Sequence, residues 1–136
     1  MELRDFQVGD RLPTLTKPPV TKTQLVMYSG ASGDFNPIHT VEEFAQSVGL
    51  GGVIAHGMLT MAFAGQMLTD WIGTAGELGQ FQVRFTGMVR PGDIVTCEGV
   101  VRERINENER TKLTVSVRAV TDKGVEAVSG TAIAWG

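Results

Sequence analysis

Apolar and polar positions alternate with a period of two through the second half of the chain. Phe81, Val83 and Phe85 fall on one side, with Gln80, Gln82, Arg84 and Thr86 on the other. This is the pattern of a half-buried strand. The same alternation sets Leu113, Val115, Val117 and Ala119 against Thr114, Ser116 and Arg118. Further strands are expected over 94–103 and 125–135. Turns are expected at Pro91-Gly92-Asp93, at Asn106 to Arg110 and at Asp122-Lys123-Gly124, the last a strong hairpin signal. The first half reads differently. Thr21 to Gln24 fits a capping box and predicts a helix over 22–31, with Leu25 and Tyr28 turned inward and Gly30 and Gly33 ending it. Thr40 to Glu43 fits a second box. It predicts a helix through Val48 with Phe44, Ala45 and Val48 as its apolar side and Gly49 just beyond. From Met58 to Ile72 there is little polar face, so a helix over 57–71, ~22 Å long, should be surrounded by protein. The prolines between Pro13 and Val20 interrupt pairing and predict an irregular edge segment.

Several antiparallel strands and one long apolar helix imply an α+β architecture. A curved antiparallel sheet should wrap around a central helix in a single domain over 1–136. Free sheet edges favour pairing with a second copy. The net charge of −3 is spread without a basic stripe, so nucleic-acid binding is not expected. The single cysteine, Cys97, falls in a strand. It reads as a small core hydrophobe, and the lack of a disulfide partner favours a reducing compartment. The weakly charged run from Leu50 to Thr69 is broken by His56, glycines and polar residues, so no membrane span is expected. Met1 to Phe6 has no apolar signal-peptide core. A soluble cytoplasmic protein is the expectation.

The chemistry concentrates in Gly30-Ala-Ser-Gly-Asp-Phe-Asn-Pro-Ile-His39. Asp34 and His39 share one short loop between two predicted helices, and a carboxylate and an imidazole held close can divide proton transfers. Pro37 fixes its own φ and biases Asn36 toward extended backbone. The second stretch is Ile54-Ala-His-Gly-Met58, the start of the long helix, a place that accepts negative charge. Together they read as an acid/base couple with an oxyanion site. Blander readings exist for each residue: a turn aspartate, a structural histidine, and for His56 a helix-start residue bonded to backbone. Tyr28 reads as core. Asp34, His39 and His56 are of types that ligate zinc or iron, but their spacing is not that of a metal site, and no metal is expected.

The strings Tyr28 to His39, with Gly-Asp-x-Asn-Pro-x-His at its centre, Ile54 to Met58, Val83-Arg-Phe85 and Pro91-Gly-Asp93 resemble the MaoC-like, or (R)-specific enoyl-thioester hydratase, family of the hot-dog fold. The resemblance covers essentially the whole chain. Within that family, Gly57 to Met61 and Trp71-Ile-Gly73 look most like the beta-type subunit of the mycobacterial (3R)-hydroxyacyl-ACP dehydratases, which works beside a non-catalytic subunit. The resemblance implies that Asp34 and His39 hydrate a trans-2-enoyl thioester or dehydrate a (3R)-3-hydroxyacyl thioester. It implies that Asn36 helps to hold the water, that the Gly57 amide meets the thioester carbonyl, and that no cofactor is needed. The substrate would be an acyl-CoA or acyl-ACP. His56, Met58, Leu59 and Arg84 are weaker substrate-binding candidates. Met58, Leu59, Met61 and Phe63 would wall an acyl tunnel or simply pack the core. Arg84, Arg90 and Lys112 would meet phosphates or remain solvated surface. A homodimer, or a heterodimer with a second hot-dog subunit, is expected. Two other functions are compatible with the fold. One is a thioesterase, which must direct water at the carbonyl carbon. The other is a silent binding subunit, against which the intact Asp34/Asn36/His39 set argues.

Overall fold

The computed structural model describes residues 1–136. Helices α1 (Lys22–Ser32), α2 (Glu42–Ser47) and α3 (Gly57–Ile72) precede most of the sheet, whose strands are β1 (Leu15–Thr16), β2 (Glu77–Phe85), β3 (Val95–Glu107), β4 (Arg110–Thr121) and β5 (Glu126–Trp135). All pairings are antiparallel, in the order β1-β3-β4-β5-β2. The sheet curves around α3, as the alternation predicts, and this is the hot-dog architecture.

The curvature has a residue-level cause. Rows across the sheet run Phe85–Val128–Ala119–Cys97, then Val83–Gly130–Val117–Gly99, then Phe81–Ala132–Val115–Val101. Alanine and glycine on β5 and glycine on β3 leave room on the concave face for the helix. At Gly130 a Cβ would lie 1.9 Å from the Gln82 carbonyl oxygen. The backbone of β2 therefore folds over β5 at a point where only glycine fits. At Gly99 a Cβ would meet Leu12 and Met67. Leu59, Phe63, Ala64, Met67, Leu68 and Ile72 of α3 fill the concavity, and Cys97 lies in the same core. Burial pushes the Cys97 thiol up to about 11, which keeps it an inert hydrophobe.

Several expectations are corrected. Helix α3 is not surrounded: Met58, Ala62, Gln66, Thr69 and Asp70 are exposed, because one five-stranded sheet covers only one side of a helix. Helix α1 runs through Gly30 to Ser32, and Gly33, in the left-handed region at φ 77°, ends it. The Thr21 cap forms, accepting the Gln24 amide at 3.0 Å. The Thr40 box does not. Thr40 closes a 3-10 turn over Pro37–His39, and α2 starts from Val41 without a side-chain cap. Of the apolar side expected for α2 only Ala45 is buried; Phe44 and Val48 are exposed. The polar turn at 106–110 shrinks to Asn108 and Glu109, both with positive φ, so β3 and β4 run longer than their alternation suggests. Two left-handed residues match the twist of a tight hairpin.

Gly130→Ala should destabilise the fold by about 2 kcal/mol or more, a Tm loss of roughly 5–10 °C, because the methyl group has nowhere to go. Chemical denaturation against wild type measures it, and an unchanged midpoint would contradict the account of the curvature.

Candidate active site

Helix α1 delivers Ser29 and Tyr28, the loop after it carries Asp34, and a 3-10 turn ends on His39. The loop is shaped by its own side chains. Ser32 Oγ accepts the Asp34 amide at 3.2 Å, Asp34 Oδ1 accepts the Asn36 amide at 3.2 Å, and Asn36 Oδ1 accepts the Ile38 amide at 3.2 Å. These are the local turns that short polar side chains favour. Asn36 thus caps the turn bearing His39 with its oxygen and keeps its NH2 for another partner.

The loop is then tied to the start of α3. His39 Nδ1 donates to the Ile54 carbonyl at 2.7 Å, and the Ile54 amide donates to Ile38 O at 3.1 Å. A carbonyl only accepts, so the Nδ1 of His39 carries a proton and its Nε2 is the nitrogen left for chemistry. That Nε2 is 3.8 Å from Asp34 Oδ2. The ring of His39 is buried, whereas the Asp34 side chain is 51% exposed. The pair therefore sits at the wall of the fold, one member anchored and one facing outward. Glu42 steadies the same region from α2, accepting the Val53 amide at 3.3 Å and pairing with Lys22 at 2.8 Å. The Lys22 ammonium holds the exposed Glu42 carboxyl below its ordinary range.

Two residues beyond Ile54, His56 is the N-cap of α3 and Gly57 its first residue. The first-turn amides of a helix have no intrahelical acceptor, and the helix dipole adds positive potential there. The ring of Phe85 lies against Gly57 so closely that a Cβ would come within 2.9 Å of it. His56 is 2% exposed. Its Nε2 is hydrogen-bonded to Ser29 Oγ at 3.0 Å, and its ring stacks on that of His39 with centroids 3.8 Å apart and planes 22° from parallel. The Tyr28 ring packs against it at a steep angle, with centroids 4.7 Å apart and planes at 64°. Burial holds His56 below the ordinary imidazole range, the neighbouring His39 adds to this, and the Asp34 backbone and carboxylate oppose it.

The structure thus brings Asp34, Asn36, His39, His56 and Gly57 together. The bond from His39 to the segment before Gly57 and the imidazole stack have no signal in the sequence, because each joins elements far apart in the chain. Met58 is exposed beside the site and Leu59 is core. Arg84 is not brought in. It pairs with Ser129 on the convex face of the sheet, opposite to the Phe85 face that meets α3. Arg90 reaches toward Gly52 O at 3.5 Å, and Lys112 lies over the Trp135 ring. Donor atoms of Asp34, His39 and His56 lie within 4.8 Å of one another. Imidazole lone pairs lie in the ring plane, however, and two nearly parallel stacked rings point them side by side rather than at one ion. A cavity of about 460 Å³ lined by Leu3, Arg4, Trp71 and Ile72 lies at the other end of α3, ~24 Å away by helix length.

A curved sheet around one helix, with a carboxylate–imidazole pair beside that helix's amide end, defines a hot-dog domain equipped for proton transfer. The family described as MaoC like domain matches residues 5–123, and the chain belongs to that family. The 3-hydroxybutyryl-CoA dehydratase of Methylorubrum extorquens is 34% identical over 110 residues, 80% of this chain and 69% of that one. An (R)-hydratase from A. caviae involved in PHA biosynthesis superposes with a TM-score of 0.84 at 26% identity, covering 96% of this chain and 97% of that one. The HadBC (3R-hydroxyacyl-ACP dehydratase) complex of Mycobacterium tuberculosis gives 0.73 at 14% identity over 95% of this chain and 96% of that one, a likeness of fold alone. The chain spans only 5% of the length of the fatty acid synthase subunit beta of Aspergillus oryzae, to which it is 39% identical over 103 residues, 73% of this chain. No helix is long and apolar enough to cross a membrane.

The depressed basicity of His56 has a consequence for stability. Unfolded, the imidazole titrates near ~6.5. Folded, it resists protonation. The unfolded state therefore binds more protons as pH falls through ~6.5, and stability is lost from there down to the folded value. Thermal melts between pH 7.5 and 5.5 should show wild type losing more Tm on acidification than His56→Gln. Parallel curves would show that His56 carries no such linkage.

Proposed function

We propose that the protein is a hydro-lyase that adds water across the C2=C3 bond of a trans-2-enoyl thioester to give the (3R)-3-hydroxyacyl thioester, and catalyses the reverse dehydration. The observation that carries this reading is the pair His39 Nε2–Asp34 Oδ2, 3.8 Å apart, bonded through Ile54 to the segment that ends in the Gly57 amide. A water beside the pair can touch both groups. In the hydration direction His39 Nε2 takes a proton from that water as its oxygen bonds to C3. The C2=C3 electron pair moves toward the carbonyl, an enolate forms, and the pair returns one proton to C2. The pair ends with as many protons as it began. The developing oxyanion lies at the Gly57 amide, and one such donor is worth about 3 kcal/mol in comparable enzymes. Glycine there lets the carbonyl approach the backbone. The Asn36 NH2 helps to hold the water.

The acyl group is carried as a CoA or acyl-carrier-protein thioester. The similarity to a 3-hydroxybutyryl-CoA dehydratase supports a CoA ester of short chain as the first substrate to try. Met58 and Leu59 begin the acyl wall. The protein works as a dimer: β2 leaves a free edge, and Met27, Phe35, Met58, Phe85 and Met88 are about half exposed or more, apolar surface that a second copy would cover.

Crotonyl-CoA should lose its enoyl absorbance without release of free thiol. Thiol release would instead mark a thioesterase. Asp34→Asn and His39→Gln should each lower kcat by a factor of about 10²–10⁴ with the fold intact, and near wild-type turnover in either variant would overturn the division of roles between the two side chains. Sedimentation should show a dimer at micromolar concentration, and a stable monomer would contradict the association.

A further inference from the structure

The imidazole of His56 is left unused by the hydration reaction. It is 2% exposed, its Nδ1 has no protein partner, and its Nε2 is fixed by Ser29. A buried polar ring with an unpartnered nitrogen is a poor choice for a core position. Its face, however, lies flat against His39 at 3.8 Å. Once His39 holds the proton taken from water its ring is a cation, and a cation over the face of a neutral aromatic ring is attracted to it more strongly than a neutral ring is. The stack thus favours the charged form of His39 over the neutral one, the differential stabilisation that lowers a barrier.

We infer that His56 is a positioning residue of the proton-transfer site: a neutral imidazole platform, locked by Ser29, on which the protonated His39 ring is stabilised and kept aimed at Asp34. The inference rests on the hydratase reading. The platform works only while His56 stays neutral, and its surroundings keep it so. Burial and the facing His39 disfavour its charge and outweigh the Asp34 backbone and carboxylate, which favour it, and the groups against it from α1 are the Tyr28 phenol and the Ser29 hydroxyl. The same residue occupies the N-cap position of α3, directly before Gly57, so the platform and the Gly57 amide are set by adjoining backbone.

The test compares His56→Phe, which keeps a flat ring without a titrating nitrogen, with His56→Gln, which removes the ring. On crotonyl-CoA, His56→Gln should lose about tenfold or more in kcat with KM within about twofold. The acid limb of its kcat/KM profile should move to lower pH by about half a unit. His56→Phe should recover most of the loss and restore the limb. A purely structural role predicts equal losses in both variants with no movement of the limb, and that result overturns the inference. Wild-type kcat and limb in His56→Gln overturn it as well. If the phenylalanine does not fit, Ser29→Ala carries the test: about threefold lower kcat with the limb moved the same way supports the platform, and an unchanged profile rejects it. Imidazole NMR of the resting protein needs no turnover. The His39 ring signals should titrate at lower pH in His56→Gln than in wild type, and coincident titrations reject the stack even if crotonyl-CoA proves not to be a substrate. Absence of hydration in wild type would instead overturn the proposed function alone.

Discussion

The hydrogen bond from His39 Nδ1 to the Ile54 carbonyl, 2.7 Å long, is the constraint on which the site depends. It does two things at once. It fixes the tautomer, leaving Nε2 free to face Asp34, and it couples a surface loop to the backbone that opens α3. The Ile54 amide returns a bond to Ile38, so the coupling is a two-point clamp rather than a hinge. The position of α3 is in turn set by the concave sheet, where Gly99 leaves room for Met67 and Gly130 lets β2 approach β5. The Asp34–His39 pair at the edge of the molecule is thereby tied to the core. Functional groups held this way lose little entropy when a substrate arrives.

Exposure divides the labour inside the site. Asp34 is half in solvent, His39 is buried to its edge, and His56 is buried outright. The effective dielectric falls along that series, and with it the ease of placing a charge. A charge on Asp34 is cheap. One on His39 is supported by Asp34 on one side and by an aromatic face on the other. One on His56 is disfavoured by burial and by the facing His39. Asp34, His39 and His56, with donor atoms within 4.8 Å of one another, thus differ sharply in their access to solvent.

Much of this is legible in the sequence, and the boundary is physical. The loop from Gly33 to His39 can be read because its shape comes from neighbours: Ser32, Asp34 and Asn36 each bond an amide two residues on. The strands can be read because a period of two is local, and the edge segment can be read from its prolines. The Thr40 box fails because the turn capped by Asn36 has already taken Thr40 into its last position, a competition between two local signals that spacing alone does not rank. The stack of His56 on His39 and the lock from Ser29 are invisible, since they join three elements brought together by tertiary packing. Arg84 is a reasonable cation by type, yet the alternation that lays Phe85 against Gly57 also turns Arg84 to the convex face; strict use of the period excludes it.

The correction at α3 is the most informative. Its apolar content reads as a helix enclosed by its own chain. Periodicity reports that a face will be covered, but not by what. In the fold, Leu59, Phe63, Met67 and Leu68 are buried in the core, while Met58 and Ala62 remain exposed. That surplus lies on the first turns of the helix, where the reactive pair and the Gly57 amide also sit. An apolar substrate chain and an apolar partner surface would be drawn to the same place by the same term. Covering it with protein removes water from around Asp34 and His39 and strengthens every charge interaction there. The half of α3 that the sheet leaves bare is therefore where the proposed association and the proposed chemistry would meet.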